Sequence, residues 1–268
     1  MFILTILILL SICFVFPLYW MAIGSFEPIR TTVKLPPDFY PENATLKNYI
    51  TLFKNYPCLR WLLNSLIVSI CATALAVSTA LMAGYAFAKK EFKGKNIIFW
   101  FLLSTMMIPL YVKIIPMFLM MRNLGLYNTY PGVFLPLSLH ASNIFLARQY
   151  MSTLPSELVD SAKIDGANEL KIFTLIILPL AKPLIAALCI FNFVWAWRDF
   201  LWPLIMTSTN TMRTLPLAVA TVTCFPGGYA ELGLAMAGAS LVTAPVCIMF
   251  VLFQKYFIKG ITMGGVKG

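Results

Sequence analysis

The stretch LPSELVDSAKIDGANELKIFTLIILPLAKP, residues 154–183, interrupts a chain that is otherwise strongly apolar. It holds four of the chain's ten acidic residues within the thirteen positions from Glu157 to Glu169. Of the 268 residues, 60% are hydrophobic and only 11% are charged, which is typical of an integral membrane protein. A polar, helix-forming insert in such a chain predicts a segment on the membrane surface where another molecule docks.

The first half of this stretch predicts a short helix. Pro155 suits the first turn of a helix, where its missing N–H costs little. Glu157 and Asp160 favour the positive end of the helix dipole. The remaining pattern is a small apolar stripe, made of Leu158, Ala162 and Ile164.

A bend is expected directly after this helix, at Asp165-Gly166. Gly166 can take a left-handed conformation, and it lets the backbone of a partner come close. Asp165 is a suitable N-cap for a second helix that starts near Ala167. The sequence therefore predicts two short helices joined at a glycine.

The rest of the chain predicts a single all-α membrane domain, residues 1–268. Uncharged or nearly uncharged runs are long enough to span a bilayer. The expected spans are about 2–26, 61–88, 96–121, 130–147, 183–206 and 232–254. The first run is not expected to be a signal peptide, because no basic region precedes it and no clear cleavage site follows it.

Lysines indicate which side of the membrane each loop faces. Four lysines lie in the seven residues 89–95, and short lysine-rich loops remain cytoplasmic. With six spans, this places the polar segment, residues 152–178, and both termini in the cytoplasm. The net charge of +10 is thereby explained by membrane topology and anionic lipid, and nucleic acid is not an expected partner.

The polar segment resembles the EAA loop of binding-protein-dependent ABC importers. Asp160-Ser161-Ala162 stands where that family has Glu-Ala-Ala, and Asp165-Gly166-Ala167 and Leu178-Pro179-Leu180-Ala181-Lys182-Pro183 match its pattern. In the family this loop is the coupling helix that sits in a groove of the ATPase subunit. The resemblance implies a cytoplasmic two-helix coupling loop, with a coupling set of Glu157, Asp160, Ala162, Asp165, Gly166 and Ala167.

Other motifs narrow the resemblance to permeases of carbohydrate importers, of the maltose and glycerol-phosphate kind. Residues 45–49, TLKNY, residues 124–129, LGLYNT, and the end KGITMGGVKG are similar to motifs of these proteins. The resemblance implies the six-helix fold of a type I importer permease, here the second of two different permease subunits.

The motif WRDFLWP, residues 197–203, resembles W-N-D/E-F-x-W-P of the family, with Arg198 in place of the usual Asn. A structural role and a substrate role both fit the Arg198-Asp199 pair. The candidate residues of the translocation path are Asn192, Trp195, Arg198 and Asp199. Trp195, Trp197 and Trp202 are also expected to form an aromatic belt at the outer membrane interface.

By this resemblance the chain is a non-enzymatic subunit that forms half of the path for a sugar or sugar derivative. Its implied partners are a second, different permease, two ATP-binding subunits, an extracytoplasmic solute-binding protein and membrane lipid. No G-x-x-x-x-G-K-[ST] phosphate-binding motif occurs in the sequence, so another polypeptide is expected to hydrolyse ATP. The location is a bacterial or archaeal cytoplasmic membrane.

Three alternatives differ in class. The first is an ABC permease for another solute, such as an amino acid, a peptide or phosphate. The second is an ATP-independent channel or secondary transporter, which predicts inverted repeats. The third is a membrane-embedded enzyme, which needs clustered ionisable groups within the spans. Neither inverted repeats nor such clusters are found in the sequence.

The six cysteines and the single histidine give no metal or cofactor motif. No C-x-x-C is present, and His140 lies in an apolar run, where a hydrogen-bonded role between helices is expected. Cys58 and Cys224 both fall on the predicted external side, where a disulfide can form, but a disulfide between them is not expected. The sequence predicts neither a metal nor a cofactor.

Overall fold

The computed structural model describes residues 2–28, 39–41, 43–223 and 232–265, and this part of the chain is helical, without strands. Its α-helices are α1 (Phe2–Gly24), α2 (Lys47–Asn55), α3 (Cys58–Lys89), α4 (Lys95–Ser104), α5 (Leu110–Asn123), α6 (Tyr130–Phe134), α7 (Ala141–Ser152), α8 (Glu157–Ile164), α9 (Glu169–Lys171), α10 (Leu178–Leu180), α11 (Lys182–Arg198), α12 (Leu201–Met206), α13 (Leu215–Thr223) and α14 (Leu232–Gly265). A π-helix, Ile172–Ile177, joins α9 to α10. The expected all-α fold is confirmed. Cys224 lies outside the described residues.

Among the described residues, three helices are long and apolar enough to cross a membrane: Phe2–Gly24, Cys58–Lys89 and Leu232–Val251. Two further helix pairs pass the same test only when taken together. One pair bends by 105° between residues 107 and 110, and the other bends by 78° at residue 181. The predicted span 130–147 is divided into α6 and α7. The described residues thus contain three spans, or up to five if each bent pair is one span. The six spans expected from the sequence stay a prediction.

The chain forms two compact units, and the first contains residues 1–65 and 209–248. In it, the side chain of Asn48 is buried and donates hydrogen bonds to the carbonyls of Ser25, at 2.9 Å, and Glu27, at 3.0 Å. A Cβ on Gly233 would lie 2.7 Å from the same amide nitrogen. The asparagine of the TLKNY motif therefore holds the end of α1 beside the start of α14.

The second unit contains residues 66–208 and 249–268, and its centre is the small-residue face of α3. Ala76 and Ala80 are buried on this face. A Cβ on Gly84 would lie 2.5 Å from the Cβ of Ala147 in α7. Small residues every four positions thus allow a second helix to approach closely, as in membrane helix pairs.

A buried cluster beneath the polar segment positions the candidate site. It joins Tyr85 of α3, Met151 of α7 and Leu188 of α11 to Val159 and Ile172 of the polar segment. The polar segment is therefore part of the packed core of the second unit on one side and exposed on the other.

Candidate functional site

Helix α8 of the polar segment has the charge distribution that the sequence predicts. Glu157 and Asp160 lie in its first turn, Lys163 lies in its last turn, and Lys163 Nζ is 3.7 Å from Asp160 Oδ1. All three side chains are exposed, so their ion pair and dipole contacts add only tenths of a kcal/mol, up to about 1. The helix begins two residues after Pro155, so the proline precedes its first turn and does not occupy it.

Gly166 ends α8 in a Schellman turn. The N–H of Gly166 donates to the carbonyl of Lys163 at 3.0 Å, and the N–H of Ala167 donates to the carbonyl of Ala162 at 2.9 Å. Gly166 has a φ of +76°, which confirms the expected left-handed conformation. These bonds satisfy helix-end carbonyls, and the small side chains of Ala162 and Ala167 pack against the same core cluster.

The second helix is capped differently from the sequence prediction. The side chain of Asn168 accepts a hydrogen bond from the N–H of Lys171 at 2.9 Å, whereas Asp165 is the C-cap of α8. The expectation that Asp165 caps the second helix is wrong. The Schellman turn uses residues 165–167 to end α8, so the next helix begins only after residue 168.

The apolar residues of α8 divide between two faces. Val159 and Ala162 face the core and are 3% and 8% exposed, whereas Ile164 is 86% exposed and Leu158 is also exposed. The stripe that the sequence indicated is therefore not a single buried face. The buried face of α8 consists of Val159 and Ala162, whereas Leu158 and Ile164 add apolar area to its exposed face.

The coupling set separates in the same way. Ala162 and Ala167 turn inward, while Glu157, Asp160, Asp165 and Gly166 are exposed. A Cβ on Gly166 would meet no heavy atom within 4 Å. Helix α8 and the turn that follows it therefore have an outer surface that is both acidic and apolar, with open space around Gly166.

Glu169 connects the polar segment to the end of α3. Its carboxylate pairs with the ammonium of Lys90 and accepts a hydrogen bond from the hydroxyl of Tyr85 at 3.0 Å. The hydrogen bond from Lys90 is the main reason that the pKa of Glu169 lies below its ordinary value. Glu169 therefore stays ionised, and the contact persists at neutral pH.

A second candidate site is a cavity of about 330 Å³ beside α11. Asn192 and Trp195 line it together with His140 and Asn143. Asn143 Nδ2 donates to Asn192 Oδ1 at 2.7 Å, and Asn192 Nδ2 donates to the carbonyl of Leu188 at 2.7 Å. These hydrogen bonds fix the orientation of both buried amide groups. Trp195 is 42% exposed, so its indole ring offers an aromatic surface.

His140 packs against this tryptophan. The rings of His140 and Trp195 are 5.9 Å apart at 77°, and His140 Nε2 is 3.1 Å from the carbonyl of Leu137. The hydrogen bond expected for His140 is present, but it is made to a residue three positions earlier and does not join two helices. Among the described residues, no three His, Cys, Asp or Glu side chains are grouped as metal ligands.

The other two path candidates do not line the cavity. Arg198 is exposed, and its guanidinium carbon lies 5.2 Å from the ring centroid of Trp195. Asp199 Oδ1 accepts hydrogen bonds from the N–H groups of Leu201, at 3.1 Å, and Trp202, at 3.4 Å. Asp199 thus accepts from the first two N–H groups of α12, which supports the structural role for this member of the pair.

The expected aromatic belt is wrong for two of its three members. Trp197 and Trp202 are 1% and 2% exposed, and Trp202 Nε1 donates to the carbonyl of Gly132 at 3.1 Å. Both are core residues: Trp197 is buried within α11, and Trp202 is buried because α12 packs on α6. Sequence position alone does not reveal this packing.

Sequence reasoning gave no structural role to the asparagine of the LGLYNT motif. Asn128 has a φ of +57°, and its Oδ1 accepts a hydrogen bond from the N–H of Ser208 at 3.0 Å. Its own N–H donates to the carbonyl of Met206 at 2.9 Å. Asn128 thus joins its own loop to the loop that follows α12. The sequence signal for this role was an Asn close to a glycine-containing turn.

Comparison with known proteins identifies the family. Residues 76–263 match the family described as "Binding-protein-dependent transport system inner membrane component", and this range is more than half of the chain. The chain belongs to this family. It is therefore a transport component and a multi-pass protein of the inner membrane.

Individual relatives extend over nearly the whole chain. It is 37% identical over 263 residues to the arabinooligosaccharides transport system permease protein AraQ of Bacillus subtilis (strain 168), covering 97% of this chain and 93% of that protein. It is 35% identical over 273 residues to the trehalose/maltose transport system permease protein MalG of Thermococcus litoralis, with 97% and 94% covered. A third relative is the sn-glycerol-3-phosphate transport system permease protein UgpE of Yersinia pestis, 34% identical over 200 residues, with 75% and 71% covered.

A solved structure confirms the permease fold. The chain is similar to one in the crystal structure of a bacterial ABC transporter involved in the import of the acidic polysaccharide alginate, with a TM-score of 0.82. The match covers 94% of each chain at 22% sequence identity, so the likeness concerns the fold alone.

Proposed function

We propose that this protein is a membrane-spanning subunit of an ATP-driven importer and forms half of the translocation path for a sugar or sugar derivative. Relatives that extend over nearly all of the chain are permeases named for arabinooligosaccharides, for trehalose and maltose, and for sn-glycerol 3-phosphate. Its partners are a second, different permease, two ATP-binding subunits and an extracytoplasmic solute-binding protein. ATP is hydrolysed by the ATP-binding subunits.

The polar segment is the proposed coupling site to the ATP-binding subunits. The observation that carries this proposal is the exposed Schellman turn at Gly166, with no heavy atom within 4 Å of a Cβ placed there. It lies beside the exposed Asp165 and Ile164 on a segment whose opposite face is in the core. A partner that binds the exposed face of the polar segment can therefore move the helices that pack against its buried face.

The movement follows from this two-faced arrangement. Closure of the ATP-binding subunits would displace the polar segment, and the displacement would reach α3, α7 and α11 through their shared cluster. Packed helices move as rigid bodies, which would switch a central cavity between inward-facing and outward-facing states. Glu157, Asp160 and Asp165 orient the contact, while Ala162, Gly166 and Ala167 shape it.

The topology that suits this function has six spans in one domain, residues 1–268. Both termini and the lysine-rich loop at residues 89–95 then lie in the cytoplasm with the polar segment. Within the membrane, the cavity beside Trp195 is the proposed stretch of the path. A sugar ring can pack its C–H face on an exposed indole, and Arg198 and Asp199 extend the same end of α11.

The test is uptake by the complete complex in proteoliposomes with its binding protein and ATP. An arabino-oligosaccharide, maltose and sn-glycerol 3-phosphate serve as labelled probes, with an amino acid and a peptide as controls. ATP-dependent uptake of a carbohydrate probe, lowered several-fold by Trp195→Leu, is the expected result. Uptake of the amino acid or the peptide alone, or uptake without ATP, would contradict the proposal.

A further inference from the structure

Two adjacent lysines at the end of α3 hold the polar segment at both ends of α8. Lys89 Nζ donates to the carbonyl of Leu154 and, at 3.1 Å, to Ser156 Oγ, just before α8 begins. Lys90 Nζ pairs with the carboxylate of Glu169, just after the turn that ends α8. The sequence around these lysines indicates only a cytoplasmic loop, because the partners of Lys89 lie 65 and 67 residues away and Glu169 lies 79 residues from Lys90.

Tyr85 gives this contact a rigid base. Its side chain is 7% exposed in the core cluster, and its ring packs on Phe173 with centroids 5.4 Å apart. Its hydroxyl donates to Glu169 Oε2 at 3.0 Å, and Lys90 Nζ lies 5.0 Å from its ring centroid. Glu169 is thus held by two donors from α3 and the residue that follows it.

Packing alone gives α8 few attachments. Of its eight residues only Val159 and Ala162 are buried, while the remaining side chains are available to a partner. A partner that pulls on the outer face of α8 would move it relative to α3 wherever the attachment is weakest. The polar contacts at both ends oppose that movement, because they lie on either side of the loaded helix.

We propose that Tyr85, Lys89, Lys90 and Glu169 form a latch that makes the polar segment and α3 move as one body. This rests on the proposed coupling function, and the four residues are positioning residues for it. The latch ensures that displacement of α8 reaches the membrane helices and is not absorbed by the loops at residues 153–156 and 165–168.

The direct experiment measures one distance in the complete complex. Spin labels are placed on cysteines at Ile164, which is 86% exposed, and at Met82 of α3, which is 53% exposed, after the native cysteines are replaced. The distance distribution is recorded with and without ATP and vanadate. In the otherwise unchanged protein the distribution should keep its position and width, because both labels sit on one body.

Breaking the latch should release that constraint. Glu169→Gln and Lys90→Met should broaden or shift the distribution in the ATP–vanadate state, and uptake of the arabino-oligosaccharide per ATP hydrolysed should fall several-fold. The charge-swapped pair Lys90→Glu with Glu169→Lys should restore most of both. Tyr85→Phe, which keeps the ring, should give a smaller effect in the same direction.

The chain offers a matched control in the same loop. Lys95 Nζ pairs with Glu91 Oε1 at 2.9 Å, and this ion pair does not touch the polar segment. Glu91→Gln should leave the distance distribution and the uptake ratio unchanged. If Glu169→Gln and Lys90→Met behave like Glu91→Gln, or if the charge swap restores nothing, the latch is contradicted.

Failure of the latch can be separated from failure of the coupling function. Gly166→Trp tests coupling and replaces no latch residue. If Gly166→Trp abolishes sugar-stimulated ATP hydrolysis while the latch variants behave as the control, only the latch is wrong. If Gly166→Trp also leaves stimulation normal, the coupling function is wrong, and the latch falls with it.

Discussion

Gly84 and Gly166 are two glycines of the same unit, and a side chain is disfavoured at each for a different reason. At Gly84 of α3, a Cβ would lie 2.5 Å from the Cβ of Ala147 and 2.9 Å from its backbone carbonyl carbon. At Gly166 there is open space within 4 Å, and the restriction is the backbone, with a φ of +76°. The region around Gly84 is closely packed within this chain, whereas Gly166 lies at an exposed surface that a partner can contact.

The comparison teaches which variants can report on function. In the region around Gly84 any added volume disturbs the fold, so loss of transport there carries no information on coupling. At Gly166 an added Cβ meets no heavy atom within 4 Å, so a bulky variant, compared with alanine at the same strained position, reports on the partner.

Gly84→Val should have the largest effect on stability. The new side chain would force α3 and α7 apart, and overpacking of this kind costs about 1–3 kcal/mol, occasionally more. We expect little monodisperse complex on size-exclusion chromatography. Ala74→Val, at an exposed position of the same helix, is the control and should give a normal yield. A normal yield of Gly84→Val would mean that α3 and α7 are not in direct contact.

Gly166→Trp should abolish sugar-stimulated ATP hydrolysis while the complex remains inserted and assembled. The indole would occupy the space that a partner needs, and it would strain a left-handed residue by about 1 kcal/mol. Gly166→Ala introduces the same backbone strain with little volume, so it should retain much of the stimulation. Normal stimulation in Gly166→Trp would show that no partner lies against this turn.

The buried amide pair should show opposite results for single and double variants. Asn143→Leu or Asn192→Leu leaves the other amide without its partner, at a cost of about 1–3 kcal/mol. The double variant removes both polar groups, so its melting temperature should recover toward the wild-type value. If Asn192 contacts the sugar, uptake should stay low in the double variant despite this recovery. Additive loss of stability would contradict the pairing.

The pH dependence of the Lys90–Glu169 contact should be the smallest effect. Its hydrogen bonds lower the pKa of Glu169, so the contact stabilises the protein above the ordinary glutamate pKa of about 4.3 and is lost as the pH falls through the lowered value. Because the side chain of Glu169 is 59% exposed, the contribution is within about 1 kcal/mol. The melting-temperature difference between wild type and Glu169→Gln should shrink on acidification. A constant difference would contradict the assignment.

Much of this arrangement could be predicted from sequence, where the signal is local. The left-handed turn at Gly166 follows from a glycine after a polar helix, and the acidic first turn of α8 follows from Glu157 and Asp160. The helices α1 and α3 follow from long apolar runs. Each of these features depends on residues within a few positions of one another.

The remaining features depend on contacts between residues far apart in sequence. Asp165 and Asn168 are both good caps, and only the register of the Schellman turn decides that Asn168 begins the next helix. Trp202 is buried because α12 packs on α6, which composition does not indicate. Lys89 and Lys90 look like solvated charges until the distant polar segment is placed beside them.

Photocrosslinking in the complete complex shows whether the outer face of the polar segment contacts the ATP-binding subunits. A photoreactive benzophenone amino acid replaces Ile164 in the complete complex, and the control carries it at Ile115 of α5, which is also exposed. After irradiation, Ile164 should give an adduct with an ATP-binding subunit, and Ile115 should give none. An adduct of Ile164 with the extracytoplasmic binding protein, or no adduct with an ATP-binding subunit, would contradict the account.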